Sequence, residues 1–447
     1  MGHAERTLQE QTAAAPLSMD AYWMPFTPNR DFKHDPKMVV RAEGMYLWND
    51  HGDKLIDASS GLFCVNAGHC RSEIADAVGA QLRELDFIAP FTRGHPKQFQ
   101  LATRVAELTP GDLNRIFFVN SGSEAVDSAM KVTLAYHQAR GQAGRTMFIS
   151  RDRAYHGVNF GGVSLSGIAN NRRKFGMGVA GVAHMRHTHL KENFFVPGEG
   201  SHGADLAEDL QRLVNLYGAE NIAACFIEPI AGSTGCLVPP KGYLKRVREI
   251  CDAHGILLVF DEVITGFGRT GQAFAAQSFG VTPDLMTMAK GITNGAQPMG
   301  AVAISERIHD TIIGAAPEGA VEFFHGYTYS GHPAACAAGL ATLDIYRRDG
   351  LFERGRALSP YFLDMLFGLR DLPVVVDIRG YGMFGAVDVA MDGAPGKRGH
   401  AFQKKLFENG LHLKATGDSA IIAPPLIAEK EHIDKIGDIL RRTLASL

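Results

Sequence analysis

Six short apolar runs, rich in Val, Ile, Phe and Met, punctuate the middle of this chain and alternate with longer stretches of helical periodicity. They read RIFFVN (115–120), TMFIS (146–150), IAACFIEPI (222–230), GILLVFDEV (255–263), DLMTMAK (284–290) and GAVAIS (300–305). A strand with one face in water alternates apolar and polar residues. A continuous apolar run of this length is instead a strand buried on both faces, which requires helices above and below it. The pattern predicts an α/β fold with a mostly parallel sheet. At 447 residues the chain exceeds what one core usually supports. After residue 330 the text changes to amphipathic helices mixed with short strands such as PVVVDIRGYGMFGAVDV (373–389), read as a smaller α+β domain over 331–447. Residues 1–75, with GMYLWNDHGDKLIDASSG (44–61), are read as an N-terminal segment that packs with the small domain, leaving 76–330 as the large domain.

The bulk properties narrow the chemistry. A formal charge of −3 offers no basic field for nucleic acid or an anionic membrane. No apolar run approaches the roughly 18 residues of a membrane span, and the first twenty residues lack the apolar core of a signal peptide. A cytoplasmic enzyme acting on small molecules is the expectation. The six cysteines, with no CxxC among them, read as reduced packing residues.

The segment VFDEVITGFGRTG (259–271) contains Gly266-x-Gly268-x-x-Gly271, the spacing of a dinucleotide fingerprint. Such a fingerprint starts directly at a strand end, opens a helix, and is followed about twenty residues later by an acid closing the next strand. Here the next acid, Asp284, precedes its strand, so the glycines read as a turn. Asp261 carries more information. It ends an apolar run, and the carboxyl ends of parallel strands are where ligands bind. The next run ends in Lys290, and burial at a strand end favours the neutral, nucleophilic form of an amine. A third element is FFVNSGSEAVDSAMKVTLAYHQA (117–139), where Ser121-Gly122-Ser123 precedes a helix. Free N–H groups at a helix start, two hydroxyls and a glycine make an anion site suited to phosphate. Tyr155 and His156, in SRDRAYHGVNFGG (150–162), sit where an aromatic could stack on a flat cofactor. The histidines of HMRHTHL (His184, His187, His189) have no fourth ligand at a regular spacing and do not read as a metal site.

Together with Glu228-Pro229, Asp261-Glu262-Val263, MAKGITNGAQPMGA (288–301) and HGYTYSGHPAACAAGL (325–340), these motifs resemble the class III (ω-) aminotransferases, pyridoxal-phosphate enzymes of fold type I. The resemblance runs from AYWMPFTPNRDF (21–32) to IIAPPLI (421–427), and within the family it is to the β-alanine:pyruvate transaminase type. It implies a large domain with a mostly parallel seven-stranded sheet and a homodimer with shared active sites, with pairing into a tetramer left open. Lys290 is implied to form the Schiff base with pyridoxal 5′-phosphate and to shuttle the substrate proton, and Asp261 to pair with the pyridine nitrogen. Ser121, Gly122 and Ser123, with Thr328 from the partner subunit, are implied to hold the phosphate, Tyr155 and Val263 to flank the ring, and His156 and Glu228 to line the same site. The implied reaction is a ping-pong transfer from an ω-amino acid or primary amine to a keto acid, pyruvate.

The substrate side departs from the family. Close relatives carry tryptophan where this chain has Phe63, and place a carboxylate-binding arginine at one of two positions that here are Lys414 and Ile421. Lysine neutralises a carboxylate as a point charge, without the two-pronged geometry of guanidinium. Lys414 or Arg93 could take the carboxylate, and Trp23 and Phe91 resemble pocket-lining positions. A transaminase for diamines or larger amines, or another class III reaction such as an aminomutase, stands as the alternative.

Overall fold

The structure, a computed structural model, describes residues 18–176 and 178–447. The stretch whose polarity argues against a signal peptide, 1–20, lies for its first seventeen positions outside the described residues. Among those described, no helix is long and apolar enough to cross a membrane.

Strands β1 (Val39–Glu43), β2 (Tyr46–Asn49) and β3 (Lys54–Asp57) form a meander. The central sheet follows: β4 (Arg115–Val119), β5 (Met147–Arg151), β6 (Val182–Met185), β7 (Ile222–Ile227), β8 (Leu257–Asp261), β9 (Leu285–Met288) and β10 (Gly300–Ile304). Its order is β4-β10-β9-β8-β7-β5-β6. The neighbours from β9 through β6 run parallel, and β10 is antiparallel to both β9 and β4. The mostly parallel seven-stranded sheet is thus present. Every residue of β7, β8, β9 and β10 is buried, which accounts for the unbroken apolar runs. β6, at the edge and mostly half-buried, is the one strand of this sheet that no apolar run announced.

Three consequences position the site. Asp261 is the last residue of β8 and pairs with Thr287 of β9, so Asp261 and Lys290, two residues beyond β9, emerge at the same edge of the sheet. β4 runs into the helix Gly122–Ala139, which packs on the sheet through Ala125, Val126, Ala129 and Val132. Finally, β11 (Val375–Tyr381) and β12 (Phe384–Val389) form a hairpin, while β13 (Leu411–His412) pairs in parallel with β3. β14 (Lys414–Thr416) and β15 (Ser419–Ile422) complete an antiparallel sheet ordered β11-β12-β15-β14. In its register Lys414 stands directly across from Ile421.

Candidate active site

The loop-to-helix junction at residues 120–124 is built by its own side chains. Ser121 is the N-cap, its Oγ accepting from the Glu124 N–H at 3.2 Å. Glu124 reaches back so that one carboxylate oxygen accepts from the Asn120 N–H (2.7 Å) and amide (2.9 Å). The cap tethers the loop while leaving the first helical N–H groups aimed past Gly122 and Ser123. Ser123 Oγ accepts from the Val158 N–H at 3.0 Å, so its own proton is available to a ligand. Gly122 is required by space: a Cβ there would meet both Val263 methyls at 3.0 Å.

At the sheet edge Asp261 is buried, its Oδ1 accepting from the Val263 N–H (3.1 Å) and its Oδ2 lying 2.8 Å from His156 Nδ1. With a carboxylate as partner, that imidazole nitrogen carries the proton. His156 is buried behind the acid, edge-on to Phe226, and its Nε2 has no partner among the described residues. His156 therefore supports Asp261 instead of offering a ring face. Tyr155, half-buried, lines the space in front, its N–H donating to Glu228 Oε1 at 2.9 Å while the Gly232 N–H takes Oε2 at 3.0 Å. Burial pushes the Glu228 carboxyl and the Tyr155 phenol above their ordinary pKa values.

Lys290 leaves Ala289 with φ +49°, a left-handed conformation that non-glycine residues adopt at a cost of about 1–3 kcal/mol unless the surroundings hold it. The surroundings do. Asn294, itself at φ +52°, accepts the Ala67 N–H (2.8 Å) and donates to Gly68 O (2.8 Å), tying the lysine turn to the N-terminal segment. Between these elements lies a cavity of about 350 Å³. Ser121, Gly122, Ser123, Tyr155, His156, Glu228, Asp261, Val263 and Lys290 all line it. Cys64, Asn120, Thr293 and Gln297 also line it, and no sequence signal distinguished them.

The remaining candidates lie elsewhere in this chain. Thr328 is exposed and outside the cavity, as are Trp23 (88% exposed) and Phe91 (55%). Arg93 is exposed and donates to Thr92 O. Phe63 is buried against Phe384, in a cluster with Ile421 and with Ile264 of the cavity wall. Lys414 is half-buried and has no acidic partner among the described residues; burial lowers its pKa. Directly paired residues of an antiparallel ladder face the same side, so Lys414 and Ile421 share the face that packs toward Phe63. His184, His187 and His189 do not converge: His184 meets Leu165 O, whereas His189 joins Asp377 and Asp388 around the guanidinium of Arg379, which already supplies the positive charge. Gly268 and Gly271 turn at φ +96° and +85°, with Phe352 and Leu426 packed against the first, so that segment is a packed turn.

The cavity fits pyridoxal phosphate on the chain's own terms: anion-binding amides, a buried carboxylate held by a hydrogen-bonded histidine, and an amine all line it. The Aminotransferase class-III family model matches residues 29–444. The chain is 52% identical to an omega-aminotransferase of Caulobacter vibrioides over 96% of its own length and 98% of the relative's. It is 48% identical to a beta-alanine–pyruvate aminotransferase of Pseudomonas aeruginosa, covering 96% of each. An omega-transaminase from Pseudomonas jessenii, solved in complex with PMP, superposes with a TM-score of 0.90 at 32% identity, covering 98% of this chain and 97% of that one. The chain belongs to the class III aminotransferases, and within them to the pyridoxal-phosphate-dependent ω-transaminases.

Proposed function

We propose that the chain transfers the amino group of an ω-amino acid of the β-alanine type to pyruvate, with Lys290 and Asp261 as the catalytic pair. When bound, the protonated pyridine ring supplies the electron sink that acidifies the substrate carbon bearing nitrogen. Asp261, buried at the edge of the cavity, would favour the protonated ring nitrogen, because a nearby carboxylate stabilises a cation. His156 keeps Asp261 Oδ2 oriented. Lys290, which lines the same cavity, would hold the cofactor through its Nζ and would serve as the base that takes and returns the substrate proton. The amides at 122–123 and the Ser123 hydroxyl hold the phosphate, Tyr155 and Val263 flank the ring, and Glu228 fixes the Tyr155 backbone.

The observation that carries this reading is the placement of Asp261 and Lys290 at adjacent parallel strand ends around one cavity. For the substrate, it is the half-buried Lys414, without an acidic partner among the described residues, on the face shared with Ile421. A cation held out of water without a counter-ion is stabilised by a ligand carboxylate, which favours ω-amino acid and pyruvate over a diamine. A homodimer accounts for Thr328, remote from its own cavity, and for the exposed apolar Trp23, Phe91 and Phe324 (92%). The cytoplasm, with its supply of keto acids, is the compartment that suits the reaction.

The test is a donor panel with pyruvate, read as alanine formed. β-Alanine alone should convert the bound cofactor once, and pyruvate should restore it. Alanine formed from diamines but from no ω-amino acid would overturn the substrate assignment.

A further inference from the structure

The glycine-rich segment contains a charge that the reaction does not use. Arg269 is completely buried, and among the described residues no carboxylate forms a salt bridge with it. Its four terminal N–H groups are all engaged with neutral oxygens. Nη1 donates to Pro424 O (2.6 Å) and Met383 O (3.2 Å), and Nη2 donates to Ser60 Oγ (3.1 Å) and Asn66 Oδ1. Burial pushes its pKa down to about 10. An arginine so desolvated is costly to keep, and an apolar replacement would leave the four oxygens it satisfies buried without a donor. Its retention points to what its fork joins.

One side of the fork holds a strained turn. Ser60, Gly61 and Phe63 have φ of +49°, +66° and +62°, three left-handed residues within four positions. Such a turn persists only when its surroundings over-determine it. Asp57 accepts the Gly61 N–H (2.6 Å) and Ser59 N–H (2.9 Å), Ser60 Oγ donates to Ala423 O (2.7 Å), and Arg269 donates to Ser60. The turn presents Cys64 to the cavity and Phe63 to Phe384. The other side of the fork holds Met383, next to Phe384, and Pro424, two residues beyond β15 and three beyond Ile421. The turn that brings Cys64 to the cavity and the β12–β15 segment that packs on it through Phe63 and Ile421 thus meet on one guanidinium.

We propose that Arg269 is a positioning residue for substrate recognition, setting the strained 59–64 turn against the β12–β15 sheet that bears Ile421, with Lys414 beside it on β14. The proposal rests on the carboxylate reading of Lys414 for its kinetic consequence, but its geometric consequence is independent of that reading. If the clamp is released, the 59–64 turn relaxes. Carboxylate substrates then lose their fit while the phosphate cup and Lys290, held by other contacts, keep the cofactor.

The experiment uses holoenzyme of the wild type and of Arg269→Met, Arg269→Lys and Ser60→Ala. Two quantities are read: kinetics with β-alanine and pyruvate against n-butylamine as a carboxylate-free donor, and the rate of Cys64 alkylation by iodoacetamide, followed by peptide mass spectrometry with exposed Cys70 as internal reference. Arg269→Met is expected to raise the KM for pyruvate about tenfold with kcat changed by less than about threefold, the signature of lost ground-state positioning. Cofactor absorbance and the KM for n-butylamine stay near wild type, and Cys64 labelling accelerates while Cys70 labelling does not. Arg269→Lys follows Arg269→Met, because one ammonium cannot span four acceptors. Unchanged Cys64 labelling, or losses equal for every substrate and accompanied by cofactor release, would overturn the proposal. Should the Arg269 variants not fold, Ser60→Ala decides, since it loosens the same wall while leaving Arg269 three of its four acceptors. It is expected to speed Cys64 labelling and raise the pyruvate KM, and no change in either refutes the clamp. Lys414→Met separates the two readings. If it leaves the pyruvate KM unchanged, the carboxylate assignment is at fault. If it raises that KM and Arg269→Met does not, the clamp is.

Discussion

Replacing Gly157 by alanine tests the architecture of the phosphate cup without touching a reacting group. Gly157 turns at φ +94°, directly after His156, and a Cβ built there lies 2.5 Å from Ser123 Oγ and 2.7 Å from Ser123 Cα. The Oγ could rotate away, but the Cα belongs to the first turn of the helix Gly122–Ala139 and cannot. The left-handed backbone costs about 1–2 kcal/mol for a residue with a Cβ, and overpacking a tight contact adds about 1–3 kcal/mol. If the protein relieves the clash by shifting Ser123, the Val158–Ser123 hydrogen bond is lost and the cup must be reassembled on binding. Even if only about 1.4 kcal/mol of the roughly 2 kcal/mol at the lower end falls on binding, cofactor affinity weakens about tenfold. Apoenzyme titrated with pyridoxal phosphate and read by absorbance measures this. Gly141→Ala is the control: it lies just past the other end of the same helix at φ +71°, with nothing within 4 Å of its would-be Cβ. It should lose about 1 kcal/mol of stability through its backbone alone and bind cofactor like the wild type. Equal affinities for Gly157→Ala and wild type would refute the assignment of 122–123 and 157–158 as one cup.

Burial lowers the pKa of Lys414, so its charge is lost at a lower pH than that of an ordinary lysine. The KM for pyruvate should accordingly rise on the alkaline side before free lysines titrate, and Lys414→Arg should abolish that rise; a KM flat across alkaline pH in the wild type would contradict it. Glu262, buried and accepting from the Ala275 and Ala276 N–H groups and Thr265 Oγ1, has its carboxyl pushed up to about 7 by burial. A folded-state value raised from 4.5 stabilises the fold below about pH 4.5, and that contribution, about 3 kcal/mol, is lost as pH rises through 7. Urea titrations between pH 4.5 and 7 should show the slope in the wild type and its removal in Glu262→Gln. Phe324→Asp, placing a charge on an apolar side chain left 92% exposed, should shift sedimentation from dimer toward monomer and reduce turnover with it.

Much of the central sheet was legible because strands buried on both faces admit no polar alternation, as in β7 and β8, whereas the edge strand β6 (VAHM) carries a histidine and is only partly buried. The ends of those strands announced Asp261 and Lys290 for the same reason: a charged residue closing an apolar run stands out. The loop at Ser121–Ser123 was legible as a helix cap. What could not be read were pairings set by tertiary geometry. His156 and Asp261 are 105 positions apart, and nothing local shows that the imidazole supports the acid instead of facing the ring. Cys64 reaches the cavity only because its distant turn converges there, whereas Thr293 and Gln297 enter on the turn that follows Lys290, without a local signal of their own. Arg269 sits in a segment whose spacing suggested a nucleotide, yet its guanidinium is buried among carbonyls brought from residues 383 and 424. Residues 1–75 are expected from the sequence to pack with 331–447, but the particular pairing of β13 with β3, more than 350 positions apart, is only two residues long and too short to leave a pattern.

The central claim is that Lys290 and Asp261 grip one cofactor from the ends of neighbouring strands. Borohydride reduction of the purified holoenzyme followed by peptide mapping tests it most directly. The account requires a pyridoxyl group fixed on Lys290 in the wild type and absent from Lys290→Ala, which should keep phosphate-dependent cofactor binding while losing transamination. A pyridoxyl group mapped to any other lysine, or undiminished turnover by Lys290→Ala, would contradict it.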